Sequence, residues 1–157
     1  MYKTHNCGEL RLTQAGQKVT LAGWLHKRRD HGGLIFIDLR DRSGLAQVTI
    51  DPSVKAAYEV AEKARAEFVL KIVGTVRARP AGLANPILPS GEIEVLAESI
   101  EILNPAKPMP FPIDDDGMKT TEALRLKYRY LDLRRARLQK NLILRHKTIQ
   151  FIRKYMD

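Results

Sequence analysis

Residues 18–51, KVTLAGWLHKRRDHGGLIFIDLRDRSGLAQVTID, decide how the rest of the chain is read. They contain three strand-like runs separated by two turn signals. Lys18–Arg29 is rich in β-forming residues, and Gly23 inside it marks a bulge or a close backbone approach where the strand bends. Asp30-His31-Gly32-Gly33 reads as a turn. Leu34–Arg40 then alternates, with Ile35, Ile37 and Leu39 on one face and Leu34, Phe36, Asp38 and Arg40 on the other. The first set has the character of a core. Asp41-Arg42-Ser43-Gly44 is a hairpin loop with a glycine available for positive φ, and Leu45–Asp51 is a third strand expected to pair antiparallel with the second.

Downstream, Asp51-Pro52-Ser53 ends the strand and starts a helix, with Ser53 as N-cap and Ala56, Ala57, Val60, Ala61 and Ala64 as a modest apolar stripe. Phe68–Arg79 is a fourth strand interrupted by Gly74. Gly91–Leu103 is a fifth, alternating through Ile93 and Val95, and Pro80–Ser90 is the loop between them. Three strands, a helix and two more strands is the order of an OB-fold, a five-stranded Greek-key barrel whose open face takes oligonucleotides. Barrels of other kinds share parts of this pattern. The fold class is therefore all-β, a five-stranded barrel with one inserted helix, followed by a linker and C-terminal helices. The expected domains are 1–104 (barrel), 105–119 (linker) and 120–157 (helical).

The linker contains NPAKPMPFPIDDDG (Asn104–Gly117), with four prolines and three consecutive aspartates, a composition that resists regular structure. Three adjacent acids read as a solvated turn, and no metal is assigned. Thr120–Leu133 and Arg135–Asp157 look helical. In the latter, Leu138, Leu142, Ile149, Ile152 and Met156 recur at helical spacing, a stripe for which the chain offers no core. Such a stripe predicts further polypeptide after Asp157, or another chain, to cover it.

The chain of 157 residues has 44% hydrophobic and 29% charged residues, enough apolar material for one core. Its longest apolar runs are far shorter than the roughly 20 residues that cross a bilayer. The N-terminus MYKTHNCGEL lacks an apolar leader, which predicts a cytoplasmic protein. Lys and Arg number 27 against 18 Asp and Glu, a net charge of +9, and the excess is concentrated in residues 105–157, with 13 basic and 6 acidic side chains. That balance suits a polyanion such as nucleic acid, although solvated helix faces produce it too.

No catalytic constellation is complete. There is no GxxxxGK phosphate loop, no GxSxG, no HExxH and only one cysteine, Cys7, read as a small buried hydrophobe. Binding has better support. Lys27-Arg28-Arg29, Phe36, Gln47, Arg77 and Arg79 combine cations, an aromatic ring and an amide, the set that single-stranded RNA recognition uses for phosphates, stacking and base edges. From pattern alone Phe36 reads equally well as a packing residue against the inserted helix. Glu92 and Glu94 alternate with core positions, and a carboxylate among arginines suits a cytosine amino group.

GWLHKRRDHGGLIFIDLRDRSGLAQVTIDP (Gly23–Pro52), with CGEL (Cys7–Leu10), GEIEVLA (Gly91–Ala97) and RLKYRYLDLRR (Arg125–Arg135), closely resembles the N-terminal part of bacterial-type aspartyl-tRNA synthetase, over essentially the whole chain. The resemblance implies an anticodon-binding OB-fold, a hinge and the helical start of a class II catalytic domain. It makes Phe36 the ring that stacks on the central anticodon uridine, Gln47 the amide that reads that base, Arg29 and Arg79 anticodon contacts, and Glu94 the reader of an outer anticodon base. Asn85 falls in a loop where the family places further contacts, and Arg28 and Arg77 complete the cationic set. His31 resembles the type found in members that charge both tRNA-Asp and tRNA-Asn. ATP and Mg²⁺ are expected for the full-length enzyme and no cofactor for this chain, with a homodimer implied for the whole protein through the last helix, and no membrane partner. Two readings from other classes stand beside it: a freestanding OB-fold with little sequence preference, and a protein-interaction module docking through its basic helices.

Overall fold

A computed structural model describes residues 2–157. The chain forms two compact units, one ending at Lys107 and one running from Pro108 to Asp157. In the first, β1 (Lys18–His31), β2 (Leu34–Asp41), β3 (Gly44–Ile50), β4 (Val69–Ala78) and β5 (Ile93–Asn104) close into a barrel in the order β1-β2-β3-β5-β4, and α1 (Lys55–Lys63) lies between β3 and β4. This is the five-stranded barrel with an inserted helix that the sequence predicts.

Closure depends on β1, whose Lys18–Trp24 half pairs with β4 and whose Trp24–His31 half pairs with β2, both antiparallel. A strand shared this way must bend. It does so at Gly23, where a Cβ would lie 2.4 Å from the Arg40 carbonyl oxygen, and at a bulge between Leu25 and Lys27. Gly74 plays the same part on β4 at a register shift, with the Leu96 carbonyl 2.3 Å from where a Cβ would sit. The barrel closes through a parallel pairing of β3 with β5.

Alternation places Ile35, Ile37 and Leu39 of β2 inside with Leu21, Leu25, Val48, Ile72 and Val95, all at 1% exposure or less. Each such side chain removed from water contributes roughly 1.5–3 kcal/mol. α1 covers this core with Ala57 and Ala61, joined by Ala64 at its C-cap, while Ala56 points outward.

Three local expectations need correction. β1 runs through Asp30 and His31, leaving Gly32 and Gly33, both at positive φ, to make the turn. Ser53 does not cap α1: Val54 stands at the N-cap, and the Asp51 carboxylate accepts from the Ser53 backbone N–H (2.8 Å), turning the chain before the helix begins. The run Thr120–Leu133 is two short helices, α2 (Glu122–Lys127) and α3 (Arg129–Asp132), because Tyr128 leaves helical geometry at φ −111°, ψ 46°.

The N-terminal segment is pinned to the β2–β3 hairpin by Asp41. Its carboxylate accepts from Ser43 Oγ (2.6 Å), the Ser43 N–H (2.8 Å), the Cys7 N–H (3.0 Å) and Lys3 Nζ (3.1 Å). Burial acts to raise its pKa, but these hydrogen bonds outweigh it and hold the group down at about 2. Burial, then the Asp41 charge, pushes the Cys7 thiol up to about 12, so Cys7 is an inert part of the core. An unfolded aspartate titrates near 4, so folding favours the ionised form. The stability Asp41 contributes, about 2 kcal/mol, is present above roughly pH 4 and lost as the pH falls toward 2. Urea midpoints measured between pH 2 and 5 should therefore fall less steeply for Asp41→Asn than for the unaltered chain, and parallel curves would refute the assignment.

In the second unit Phe111 and Ile113 are buried, and Arg135 and Asp132 are fully so. Asp132 accepts from Arg129 Nη1 (2.8 Å), Arg135 Nε (3.0 Å) and Arg125 (Nε 3.1 Å, Nη2 3.2 Å). Arg135 also pairs with Asp115, donates to Thr120 Oγ1 (3.2 Å) and lies 5.0 Å over the Phe111 ring. The Asp115 and Asp116 side chains accept from the N–H groups of Gly117 and Met118, which folds the acidic run into successive turns. α4 (Ala136–Met156) buries no residue, and Leu142, Leu144, Phe151, Ile152, Tyr155 and Met156 are exposed. No helix among the described residues is long and apolar enough to cross a membrane.

Candidate nucleic-acid interface

On the outer face of the barrel, residues of all five strands and of the loop after β4 line a cleft of about 510 Å³. Pairing builds it in two rows. Arg29, Phe36 and Thr49 lie directly opposite one another on β1, β2 and β3. Asp38 faces Gln47 on β2 and β3, and Arg77 faces Glu94 on β4 and β5.

Of the nine residues singled out from the sequence, seven line this cleft: Arg29, Phe36, Gln47, Arg77, Arg79, Asn85 and Glu94. Phe36 belongs to the outer face with its ring half-buried, which excludes the alternative in which it packs against α1. Arg28 is elsewhere. It donates to the Asp30 carboxylate (2.7 and 3.1 Å) and to the Glu62 carbonyl at the end of α1 (2.8 Å). His31 is exposed at the hairpin tip, opposite Leu34, which does reach the cleft.

Glu94 differs from its expected setting as an exposed acceptor. It is 3% exposed and both oxygens are engaged, Oε1 by Arg77 Nε (2.8 Å) and Oε2 by Thr49 Oγ1 (2.5 Å) and Gln47 Nε2 (3.2 Å). The cause is the parallel pairing of β3 with β5, which sets Glu94 beside Gln47 and Thr49.

Residues that sequence reading did not select also line the cleft. Asp38 accepts from Arg29 Nη2 (2.7 Å) and so orients that guanidinium. The signal for Asp38 was present, since it shares a strand face with Phe36, and Thr49 shares one with Gln47. Pro80, Leu83 and Leu88 form an apolar rim from the loop, where no periodicity marks them.

Arg79 carries the sharpest electrostatic feature. Its Nε donates to the Ile93 carbonyl (3.0 Å), while its buried Nη2 has no hydrogen-bond partner. Burial lowers the pKa of this guanidinium from its ordinary value, against the opposing charges of Glu94 and Asp38. A buried donor left unpaired costs about 1–3 kcal/mol. Cations, a partly exposed ring and an amide on one concave face can stack a base and grip its edge and phosphate.

Residues 19–103 match the family described as OB-fold nucleic acid binding domain, and residues 121–157 match tRNA synthetases class II (D, K and N). The chain is 57% identical over 157 residues to the aspartate–tRNA(Asp/Asn) ligase of Moorella thermoacetica, an alignment covering 100% of this chain and 26% of that protein. It is 55% identical over 156 residues to the same-named ligase of Heliobacterium modesticaldum, covering 99% and 26%. The chain thus spans about a quarter of the length of these curated relatives. Among solved structures, asparaginyl-tRNA synthetase from Pyrococcus horikoshii complexed with asparaginyl-adenylate superposes with a TM-score of 0.79 at 26% identity, over 99% of this chain and 34% of that one.

Proposed function

Since the chain belongs to the OB-fold nucleic acid binding domain family, we propose that it is the anticodon-binding N-terminal module of an aspartate–tRNA ligase and that the cleft takes the anticodon loop. One observation carries the reading: Phe36, Gln47, Arg29 and Arg79 share one concave face. In it Phe36 stacks on the central base and Gln47 reads its edge. Arg29, held by Asp38, and Arg79 supply donors, and Asn85 and Arg77 reach the flanking nucleotides. Arg28 and His31 act from outside the cleft, Arg28 as a positioning side chain for the β1–α1 junction and His31 beside the entrance.

The longer protein would join aspartate to tRNA using ATP and Mg²⁺. The described residues include no cluster of three or more His, Cys, Asp or Glu side chains able to hold a metal ion. The exposed apolar residues of α4 are assigned to a subunit interface of the longer protein.

Both curated relatives are named for tRNA-Asp and tRNA-Asn, and the module is accordingly read as accepting the anticodons GUC and GUU. Titrating the chain with stem-loops carrying GUC, GUU and GAC over a range of salt tests this. GUC and GUU should bind alike and clearly better than GAC, and the gap should persist as salt rises, because base-edge contacts release no counterions. Equal binding of all three, fading together with salt, would reduce the module to a basic surface.

A further inference from the structure

Within the anticodon reading, on which this step rests, the atoms around Gln47 specify more than the presence of an amide. A carboxylate has no proton to give, so the Gln47 group turned toward Glu94 Oε2, 3.2 Å away, is the NH₂. The same carboxylate is held in place by Arg77 Nε and Thr49 Oγ1. Turning the amide over would set an oxygen against that fixed negative charge. Gln47 Oε1 is therefore left to line the cleft, alongside Arg29. Asp38, the other nearby acceptor, is taken by Arg29.

We propose that Glu94 is a positioning residue that locks the polarity of the Gln47 amide, so that the cleft offers an acceptor there and selects uracil over cytosine at the stacked position. Uracil presents an N3–H donor, the complement of that acceptor. Cytosine presents a bare N3, which would meet the Gln47 oxygen lone pair to lone pair. Glu94 contributes without touching the base, which separates this role from that of a base reader.

The test uses the full 157-residue chain and stem-loops carrying GUC, GCC and GAC. The unaltered chain should prefer GUC over GCC by roughly 5- to 150-fold, the range for one well-made base-edge contact. In Glu94→Gln the residue at 94 can donate as well as accept, Gln47 can present either end, and the GUC/GCC ratio should fall to about twofold. The exchanged pair Gln47→Glu with Glu94→Gln places a group that can only accept at position 47 and should restore the preference, even if overall affinity drops. The side-chain amide resonance of Gln47 should also shift in Glu94→Gln. A parallel loss of affinity for GUC and GCC in Glu94→Gln marks a merely structural role and overturns the proposal, as does a ratio that survives unchanged. Should Glu94→Gln not fold, the exchanged pair decides alone, since loss of the preference there overturns it. If the unaltered chain separates GUC from GAC but not from GCC, only the polarity lock fails. If it separates neither, the anticodon reading itself fails.

Discussion

Asp132→Asn should unfold residues 108–135 while leaving the barrel's own melting transition in place. The side chain is fully buried and accepts from three arginines, one of which, Arg135, is also fully buried. Breaking a buried ion pair from one side costs about 3–5 kcal/mol, because the remaining charge stays desolvated without compensation. Arg135 would keep Asp115, itself 40% exposed, as its remaining ion-pair partner. A unit of this size with so few apolar groups inside holds only about 3–5 kcal/mol in total. Amide hydrogen exchange reads the outcome directly: protection over Tyr128–Arg135 should vanish while the β1–β5 amides keep theirs. The double variant Asp132→Asn with Arg135→Met should recover much of the loss, since removing both charges leaves neither stranded. Full protection in Asp132→Asn would mean that the other partners of these arginines, Asp115 and Thr120 for Arg135, suffice without the carboxylate.

How much of this was legible beforehand depends on the range over which each feature is encoded. The two faces of β2 could be read from residues 34–40 alone, because the pleat fixes a period of two and burial follows it, as Ile35, Ile37 and Leu39 against Phe36 and Asp38 show. The choice between Arg28 and Arg29 could not. Leu21 and Leu25 point inward, and continued alternation would have turned Arg29 inward as well. The bulge between Leu25 and Lys27 reverses the parity, so Arg29 faces Phe36 in the cleft while Arg28 reaches the end of α1. Glu94 was legible as a residue of the binding face but not as a buried one, since its surroundings come from a pairing with β3 some 45 residues away. The cap of α1 failed for a local reason: Asp51 and Ser53 both suit a turn, and the carboxylate took the role. In the second unit, helical periodicity found the helices but not the break at Tyr128, because it is there that Asp132 is set among its arginines.

Phe36→Ala should weaken binding of a GUC stem-loop by roughly 5- to 150-fold, since a base stacked on an aromatic ring is worth about 1–3 kcal/mol. The ring sits on the outer face between Arg29 and Thr49, so its removal opens no cavity among the core side chains and the melting temperature should move by only a few degrees. The more telling readouts are selectivity and salt. With no ring to hold the base edge against Gln47, GUC and GAC should converge in affinity. The slope of log K against log salt should not change, because no cation has been removed. Arg77→Ala removes a cation and should instead give a shallower slope. Phe36→Tyr keeps the π-face and should bind within a few-fold of the unaltered chain. If Phe36→Ala binds GUC as well as before, the base is held by charge and hydrogen bonds alone and the stacking role is wrong. If its salt slope falls as well, the ring acts instead by placing Arg29, its neighbour across the β1–β2 pair, against a phosphate.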